Sequence, residues 1–440
     1  MDIRSLHQIF LSCDQKITTD TRKIVEGSVY FALKGENFNG NSFAADALAK
    51  GCAYAVVDEA QHVKGEKCIL VDDVLIAMQQ LANYHRKQLT IPVLAITGSN
   101  GKTTTKELVH AVLSKKFKVQ YTQGNLNNHI GVPLTLLSIR AEHEMAVVEM
   151  GANHQGEIDM LCKIAEPNFG IITNIGKAHL EGFGGIEGVK KGKSELYKYL
   201  NLANGTIFLH GDDEVLSDLS KGNNKYTYGT KKLYDVVGKF SESNLFVELA
   251  WKTRYTAPDL KKEGFIQTKL VGIYNYYNAL CAACVGTYFK IDDAQIKDAL
   301  ISYEPTNNRS QLFKTANNTL ILDYYNANPS SMQVAIENFA AMPAENKMLI
   351  LGDMLELGAE SVEEHKALIE MLKEKKLEDY ILVGPIFSVL QKDPPVGETS
   401  RSFLNSKLAF EFLKTNASKN KTILIKGSRG IALEEVVKAL

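Results

Sequence analysis

The sequence predicts an α/β protein in three domains: a mixed α/β N-terminal domain, a central P-loop domain with a parallel sheet, and a C-terminal Rossmann-like domain. Three observations carry this. The chain has 440 residues, and at about 150 residues per domain that makes roughly three units. In the middle and last thirds, short aliphatic runs alternate with helical stretches, the pattern of a parallel sheet covered on both faces. Breaks before Pro92 and in the polar stretch YEPTNNR at 303–309 divide the chain into 1–88, 89–304 and 305–440.

The elements follow in order. The opening MDIRSLHQIF reads as an amphipathic helix and lacks the apolar core and cleavage site of a signal peptide. Strands are expected at 29–33 and 53–57, with helices at 44–50 and Val74–Gln88. The central piece should open with strand Val93–Thr97, a glycine loop and a helix over 102–116, followed by buried strands at 146–150 and 170–174. The stretch 205–270, richer in β-formers and turns, reads as an antiparallel appendage. The last piece pairs strand Thr319–Asp323 with a helix from Pro329 and strand 348–351 with a helix from Ser361; strands Tyr380–Val383 and Thr422–Lys426 precede a C-terminal helix. Ligands of such sheets sit beyond the carboxyl ends of the strands. That points to Asp323, Gly352, Asp353, Gly384 and the KGSR segment at 426–429. Asn326 and Asn328 lie beside the same crevice, although an Asn before Pro329 also suits a helix cap.

Composition excludes several functions. Lys plus Arg is 50 against 51 for Asp plus Glu, so no basic field exists to hold nucleic acid. No apolar run approaches the roughly 20 residues of a membrane span. Six scattered cysteines suit reduced thiols in the cytoplasm. Cys281 and Cys284 form a C-x-x-C inside an apolar helical run with no second pair, and so read as core residues rather than a redox or metal site.

The segment Thr97, Gly98, Ser99, Asn100, Gly101, Lys102, Thr103, Thr104 lies between a buried strand and a helix. Glycines there let backbone N–H groups converge on phosphate oxygens, and the helix N-terminus adds positive potential. Lys102 would reach the β- and γ-phosphates of ATP, and the Thr103 hydroxyl would reach Mg2+. Glu149 ends the next strand beside this loop, where a carboxylate suits a metal ligand. His179 follows the third strand in the same way; read alone, it is either a ligand or a hydrogen-bonded structural residue.

Taken together these segments resemble the Mur ligase family over the whole chain. The phosphate loop TGSNGKTTTKE from Thr97, GNLNNHIGVP from Gly124, EMGANHQGEI from Glu149, NIGKAHLEGFG from Asn174 and GKSEL from Gly192 carry the likeness in the central domain. DYYNANP from Asp323, LGDMLELG from Leu351 with His365 downstream, and IKGSR from Ile425 carry it in the third. The resemblance implies a ligase that uses ATP and Mg2+ to join D-alanyl-D-alanine to UDP-N-acetylmuramoyl-tripeptide through an acyl phosphate, acting as a cytoplasmic monomer without nucleic acid or membrane partners. The catalytic residues it implies are Lys102, Lys193, His179 and Glu149. Thr103, Glu149, His179 and Lys193 would hold metal. Asn275, Asn278, Arg309 and Asp323 would join the loop in binding ATP. Thr21, Arg22, Lys34, Asn127, Asn128, Asn326, Asn328, Lys426 and Ser428 would bind substrates, with the UDP-sugar on the first domain and the dipeptide on the third.

The sequence departs from the family pattern at Thr21, Asn39, Asn41, Tyr274, which stands where a His is usual, and Leu322. Lys193 lies in a stretch basic enough to be a solvated helix face. The resemblance implies instead that it is carbamylated. An ammonium about 4 Å from Mg2+ would be repelled by on the order of 4 kcal/mol at an effective dielectric near 20, whereas a carbamate offers oxygen ligands. Two other readings share some of these motifs: a different amino-acid ligase of the Mur or folylpolyglutamate-synthase kind, and a P-loop NTPase with no ligation.

Overall fold

A computed structural model describes residues 1–241, 245–253, 264–390 and 400–440 and gathers their strands into sheets of four, nine and six, with a small hairpin besides. The first sheet runs Ile17–Thr18, Val29–Phe31, Tyr54–Val57, Cys68–Leu70, all parallel. Helix Ile3–Ser12 starts where Asp2 accepts the N–H groups of Arg4 and Ser5 at 3.0 and 3.1 Å. It buries Leu6, His7 and Phe10, the amphipathic face expected of the opening segment.

The nine-stranded sheet has the order Ile266–Val271, Phe246–Thr253, Val236–Ser241, Asn224–Gly229, Thr206–His210, Phe169–Ile172, Val93–Thr97, Met145–Glu149, Val119–Tyr121. This corrects the expected antiparallel appendage. Strand Thr206–His210 pairs parallel with Phe169–Ile172, and the next two strands continue in parallel. Only the last two pairings are antiparallel. The reason is visible in the burial of Ile207, Phe208 and Leu209. Three consecutive apolar residues need cover on both faces, which an appendage hairpin cannot supply. Part of the expected stretch, 242–244 and 254–263, lies outside the described residues. Helix Tyr274–Tyr288 buries Cys281 and Cys284 as free thiols beneath this sheet.

The third sheet runs Gln311–Lys314, Thr319–Asp323, Thr422–Lys426, Lys347–Gly352, Tyr380–Val383, Arg401–Phe403 and is parallel except at its first edge. The C-terminal helix is a single turn, Glu434–Val437.

Helix Val74–Gln88 belongs by sequence to the first unit, yet it is bonded along its length to the central one. Gln79 Nε2 donates to His129 O at 2.9 Å, and Asn83 Nδ2 reaches Lys163 O, Ile164 O and Glu166 Oε1 at 2.9–3.1 Å. The buried Arg86 guanidinium donates to Ala165 O, Leu89 O, Glu166 O and Asn168 Oδ1 at 3.0–3.1 Å. Five fixed donors meeting this many buried acceptors make Arg86 a rivet between helix and sheet. Arg86→Ala should therefore destabilise the whole chain by about 3 kcal/mol or more, read as a lower calorimetric melting temperature. An unchanged melting temperature would show that the helix is held by apolar packing alone.

Candidate active site

Strand Val93–Thr97 delivers the chain to a loop that only glycine can complete. Gly98 and Gly101 have φ of +139° and +77°. A Cβ on Gly98 would lie 2.0 Å from Thr173 Oγ1, and one on Gly101 would lie 2.8 Å from Asn278 Oδ1. The loop is fixed from the end of the neighbouring strand: Thr173 Oγ1 donates to Asn100 O at 2.6 Å, Ser99 Oγ to Gly176 O at 3.0 Å, and Asn100 N–H to Asn174 Oδ1 at 3.0 Å. Helix Lys102–Leu113 then starts with its N-terminal N–H groups at the loop, as anion binding requires. Lys102 curls back, its ammonium donating to Gly98 O at 2.7 Å and Ser99 O at 3.1 Å. Enclosure pushes Lys102 below the ordinary lysine range, and the attraction of Glu149 opposes this.

Glu149, 1% exposed, lies at the base of the loop. Its Oε1 accepts from Thr103 Oγ1 at 3.1 Å and from Asn127 Nδ2 at 2.7 Å. Its Oε2 is buried with no hydrogen-bond donor, and Lys106 Nζ lies 3.7 Å away. An orphaned carboxylate oxygen beside a hydroxyl, at the foot of a phosphate loop, fits Mg2+, which prefers oxygen ligands and completes its shell with water and phosphate. Among the described residues no group of three His, Cys, Asp or Glu could form an all-protein cage, so Thr103 and Glu149 would share the ion with the nucleotide.

The loop opens into a cavity of about 700 Å³ between the central and third domains. Asn275 and Asn278 line it, joined by a 2.8 Å bond between their amides. Thr105 Oγ1 also donates to Asn278 Oδ1 at 3.1 Å. Tyr274 hydrogen-bonds Ser310 through its hydroxyl. On the third-domain wall the Arg309 guanidinium stacks 3.6 Å from the centre of the Tyr325 ring, and Asp323 accepts from Lys426 Nζ at 2.6 Å. Asn328 is the N-cap of helix Pro329–Ala341 with a full capping box. Its amide nitrogen also donates to Asn100 Oδ1 of the phosphate loop at 2.7 Å. Asn326 and Asn128 line the cavity, and Asn128 Oδ1 accepts the N–H groups of Ile130 and Gly131 at 3.1 and 2.9 Å.

Other singled-out residues stand apart from this cavity. Ser428 spends its hydroxyl on Ala327 O at 3.3 Å and accepts Leu355 N–H at 3.0 Å. Asp353 is buried inside the third domain, accepting the N–H groups of Ile386 and Phe387 at 2.8 and 3.0 Å. In the first domain Arg22 pairs with Asp20 at 2.8 Å, Lys34 pairs with Asp58 and Glu59 at 2.9 and 3.1 Å, and the Thr21 carbonyl accepts from Lys50 at 3.4 Å. The departures at Asn39 and Asn41 are absorbed there: Asn39 Nδ2 donates to Glu59 at 3.0 Å, and Asn41 bonds both ways with Asp58 at 2.8 and 3.0 Å.

Lys193 is not on a solvated face. It is 1% exposed, donates to Ala152 O at 3.0 Å and lies 5.0 Å from the Phe183 ring centre, whereas Lys191 and Lys198 are exposed. Burial drives it well below the ordinary lysine range, with the charge of Lys102 adding to the effect. His179 lines the cavity and bonds Glu356 of the third domain. Sequence reading passed over Lys106, Tyr325 and Glu356. Lys106 had a signal: three residues after Thr103, it falls on the same helix face, toward Glu149.

The chain matches three family descriptions: Mur ligase family, catalytic domain, over 15–111; Mur ligase middle domain over 96–286; and Mur ligase, glutamate ligase domain, over 308–429. It is 36% identical to the UDP-N-acetylmuramoyl-tripeptide–D-alanyl-D-alanine ligase of Bacillus subtilis, covering 96% of this chain and 92% of that one. It is 35% identical to the enzyme of the same name from Escherichia coli, covering 96% and 93%. A crystal structure of MurF from Acinetobacter baumannii superposes with a TM-score of 0.85 at 31% identity, covering 98% and 97%. MurF ligase from Thermotoga maritima in complex with ADP gives 0.81 at 26% identity, covering 97% of each chain.

Gly98→Ala should weaken binding of an ATP analogue by at least tenfold in titration calorimetry, because the new methyl meets Thr173 at a backbone angle that Ala resists. Unchanged affinity would mean that the loop shifts freely and that its geometry does not set the phosphate site.

Proposed function

The chain belongs to the Mur ligase family, and from that membership we propose that it joins D-alanyl-D-alanine to UDP-N-acetylmuramoyl-tripeptide with ATP, a step of peptidoglycan synthesis. The observation that carries the reading is the orphaned Glu149 oxygen at the foot of the phosphate loop, in a cavity walled by both the central and the third domain. Such a cavity suits chemistry in which a nucleotide and an acceptor must meet.

The reaction needs a substrate carboxylate to attack the γ-phosphorus and release ADP, giving an acyl phosphate. The dipeptide amine then attacks the acyl carbon, phosphate leaves with the C–O bond electrons, and the amine gives up a proton. Phosphoryl transfer is mostly positioning and charge neutralisation. Lys102, resting on loop carbonyls, is placed to move onto β- and γ-phosphate oxygens. Asn275, Asn278 and Arg309 would hold the nucleotide side, and Thr103 with Glu149 would hold Mg2+. When bound, that ion neutralises charge on the transferred phosphoryl group. Asn127 keeps Glu149 oriented, and Asn326 and Lys426 face the incoming dipeptide. Residues 1–88, through Thr21, Arg22 and Lys34, take the UDP-sugar; 89–304 take ATP; 305–440 take the dipeptide. No described helix is long and apolar enough to cross a membrane, and we place the enzyme in the cytoplasm as a monomer.

Lys193 is carbamylated in this reading. A buried amine held below its usual pKa spends time as the neutral nucleophile. The ammonium first gives up a proton; the neutral nitrogen then adds to CO2 and releases a second proton, which leaves an anionic carbamate with oxygen ligands. His179 and the carbamate would then hold a second ion.

Two outcomes test this. Phosphate release should require ATP and both substrates together. Hydrolysis of ATP alone at a comparable rate would favour the NTPase reading. Lys193→Ala should lose at least 100-fold in kcat and recover part of it with a small added carboxylate, while Lys193→Arg should be as poor as Ala and not recover. Near-normal turnover of the Arg variant would remove carbamylation from the account.

A further inference from the structure

Two residues in left-handed backbone meet between the central and third domains. His179, with φ of +53°, follows strand Phe169–Ile172, and Glu356, with φ of +62°, follows strand Lys347–Gly352. The left-handed conformation is strained for a non-glycine residue, and such residues persist where the surroundings over-determine them. Here the surroundings are ties from the His179 loop to the third domain, to the Glu356 loop and to helices Pro329–Ala341 and Ser361–Glu374. Glu181 N–H points at Glu356 O at 3.4 Å, Lys177 N–H donates to Ser330 Oγ at 2.9 Å, and Lys177 Nζ reaches Glu364 Oε1 at 2.5 Å. At the centre, His179 Nδ1 and Glu356 Oε2 are hydrogen-bonded.

The two ring nitrogens of a histidine have different roles, and the partner of one sets the state of the other. A carboxylate can only accept from Nδ1–H, which leaves Nε2 as the nitrogen free for the cavity that His179 lines. Glu356 does not line that cavity, and its side chain is 54% exposed. A carboxylate behind an imidazole is a general way of fixing ring orientation and tautomer where the ring serves as a ligand.

We propose that Glu356 is a positioning residue for His179, so that the third domain, by presenting Glu356, prepares a divalent-cation ligand on the central domain. The reaction site is then complete only when the two domains are together. This rests on the ligase reading only in giving His179 a part in the reaction. A plain interdomain latch is the rival, and the neighbouring Lys177–Glu364 pair separates the two because it ties the His179 loop to the third domain without touching the imidazole.

The test uses the full-length enzyme with a non-hydrolysable ATP analogue and Mn2+ as the probe, read by electron paramagnetic resonance, beside steady-state kinetics. Glu356→Ala and His179→Ala should each weaken the weaker Mn2+ site by about 10–100-fold. The double variant should lose no more than His179→Ala alone. Glu356→Gln, which keeps an acceptor oxygen, should fall between Glu356→Ala and wild type. In turnover, Glu356→Ala should lower kcat with the KM for ATP unchanged, and Lys177→Met should leave Mn2+ binding as it is. Wild-type Mn2+ binding by Glu356→Ala, losses that multiply in the double variant, or an equal loss in Lys177→Met would overturn the proposal. Failure of the wild-type enzyme to use the dipeptide would sink the ligase reading and leave the Mn2+ comparison standing.

Discussion

A carboxylate buried at the foot of a phosphate loop, with one oxygen satisfied and the other left open, is the constraint around which the central domain is arranged. Burying such a group is costly unless it is paired. Glu149 is positioned by three residues on two elements: Thr103 and, one helical turn beyond it, Lys106 on the loop helix, and Asn127 in the segment before helix Gly131–Leu137. Its other oxygen is buried without a hydrogen-bond donor, 3.7 Å from the Lys106 ammonium. The pairing of Val93–Thr97 with Met145–Glu149 sets the distance between loop and carboxylate, because Ile96 and Glu149 are register partners. A one-residue slip would turn Glu149 to the other face of the sheet.

The third domain is not a bystander to this arrangement. Asn328 caps its own helix and reaches Asn100 of the loop, so one amide both ends a helix and joins two domains. Arg309 and Tyr325 wall the cavity. Asp323, one residue past Leu322 at the end of its strand, is bound to Lys426 on the adjacent strand. Of these contacts the Asn328–Asn100 bond joins the two domains through side chains, the kind of contact that can open and re-form during a catalytic cycle.

Much of this was legible in the sequence because short, fully buried strands announce themselves. Val93–Thr97, Thr319–Asp323, Tyr380–Val383 and Thr422–Lys426 have the expected bounds, each a run of apolar residues with a polar or glycine residue at its end. The region from 205 read wrongly because its strands mix buried runs with turns. Whether they extend the main sheet or fold beside it depends on covering helices far away in the chain, such as Tyr274–Tyr288. Lys193 shows the limit of composition: among the lysines around it only long-range packing on Phe183 and Ala152 decides which is buried. Glu356 lay within the LGDMLELG segment but was not singled out there, since its meaning lies in a partner 177 positions away. The role of Arg86 was hidden for the same reason, because backbone carbonyls leave no mark on the sequence.

If a substrate carboxylate is activated by direct phosphorylation in the cavity beneath the loop, one of its oxygens must end in phosphate. The most direct measurement is oxygen transfer: UDP-N-acetylmuramoyl-tripeptide carrying 18O in its terminal carboxylate is turned over with ATP and D-alanyl-D-alanine, and the released phosphate is weighed by mass spectrometry. The expected result is one 18O per labelled carboxylate oxygen lost, carried from the peptide into phosphate. Phosphate whose added oxygen comes from water, with the label retained in the peptide or product, would contradict it.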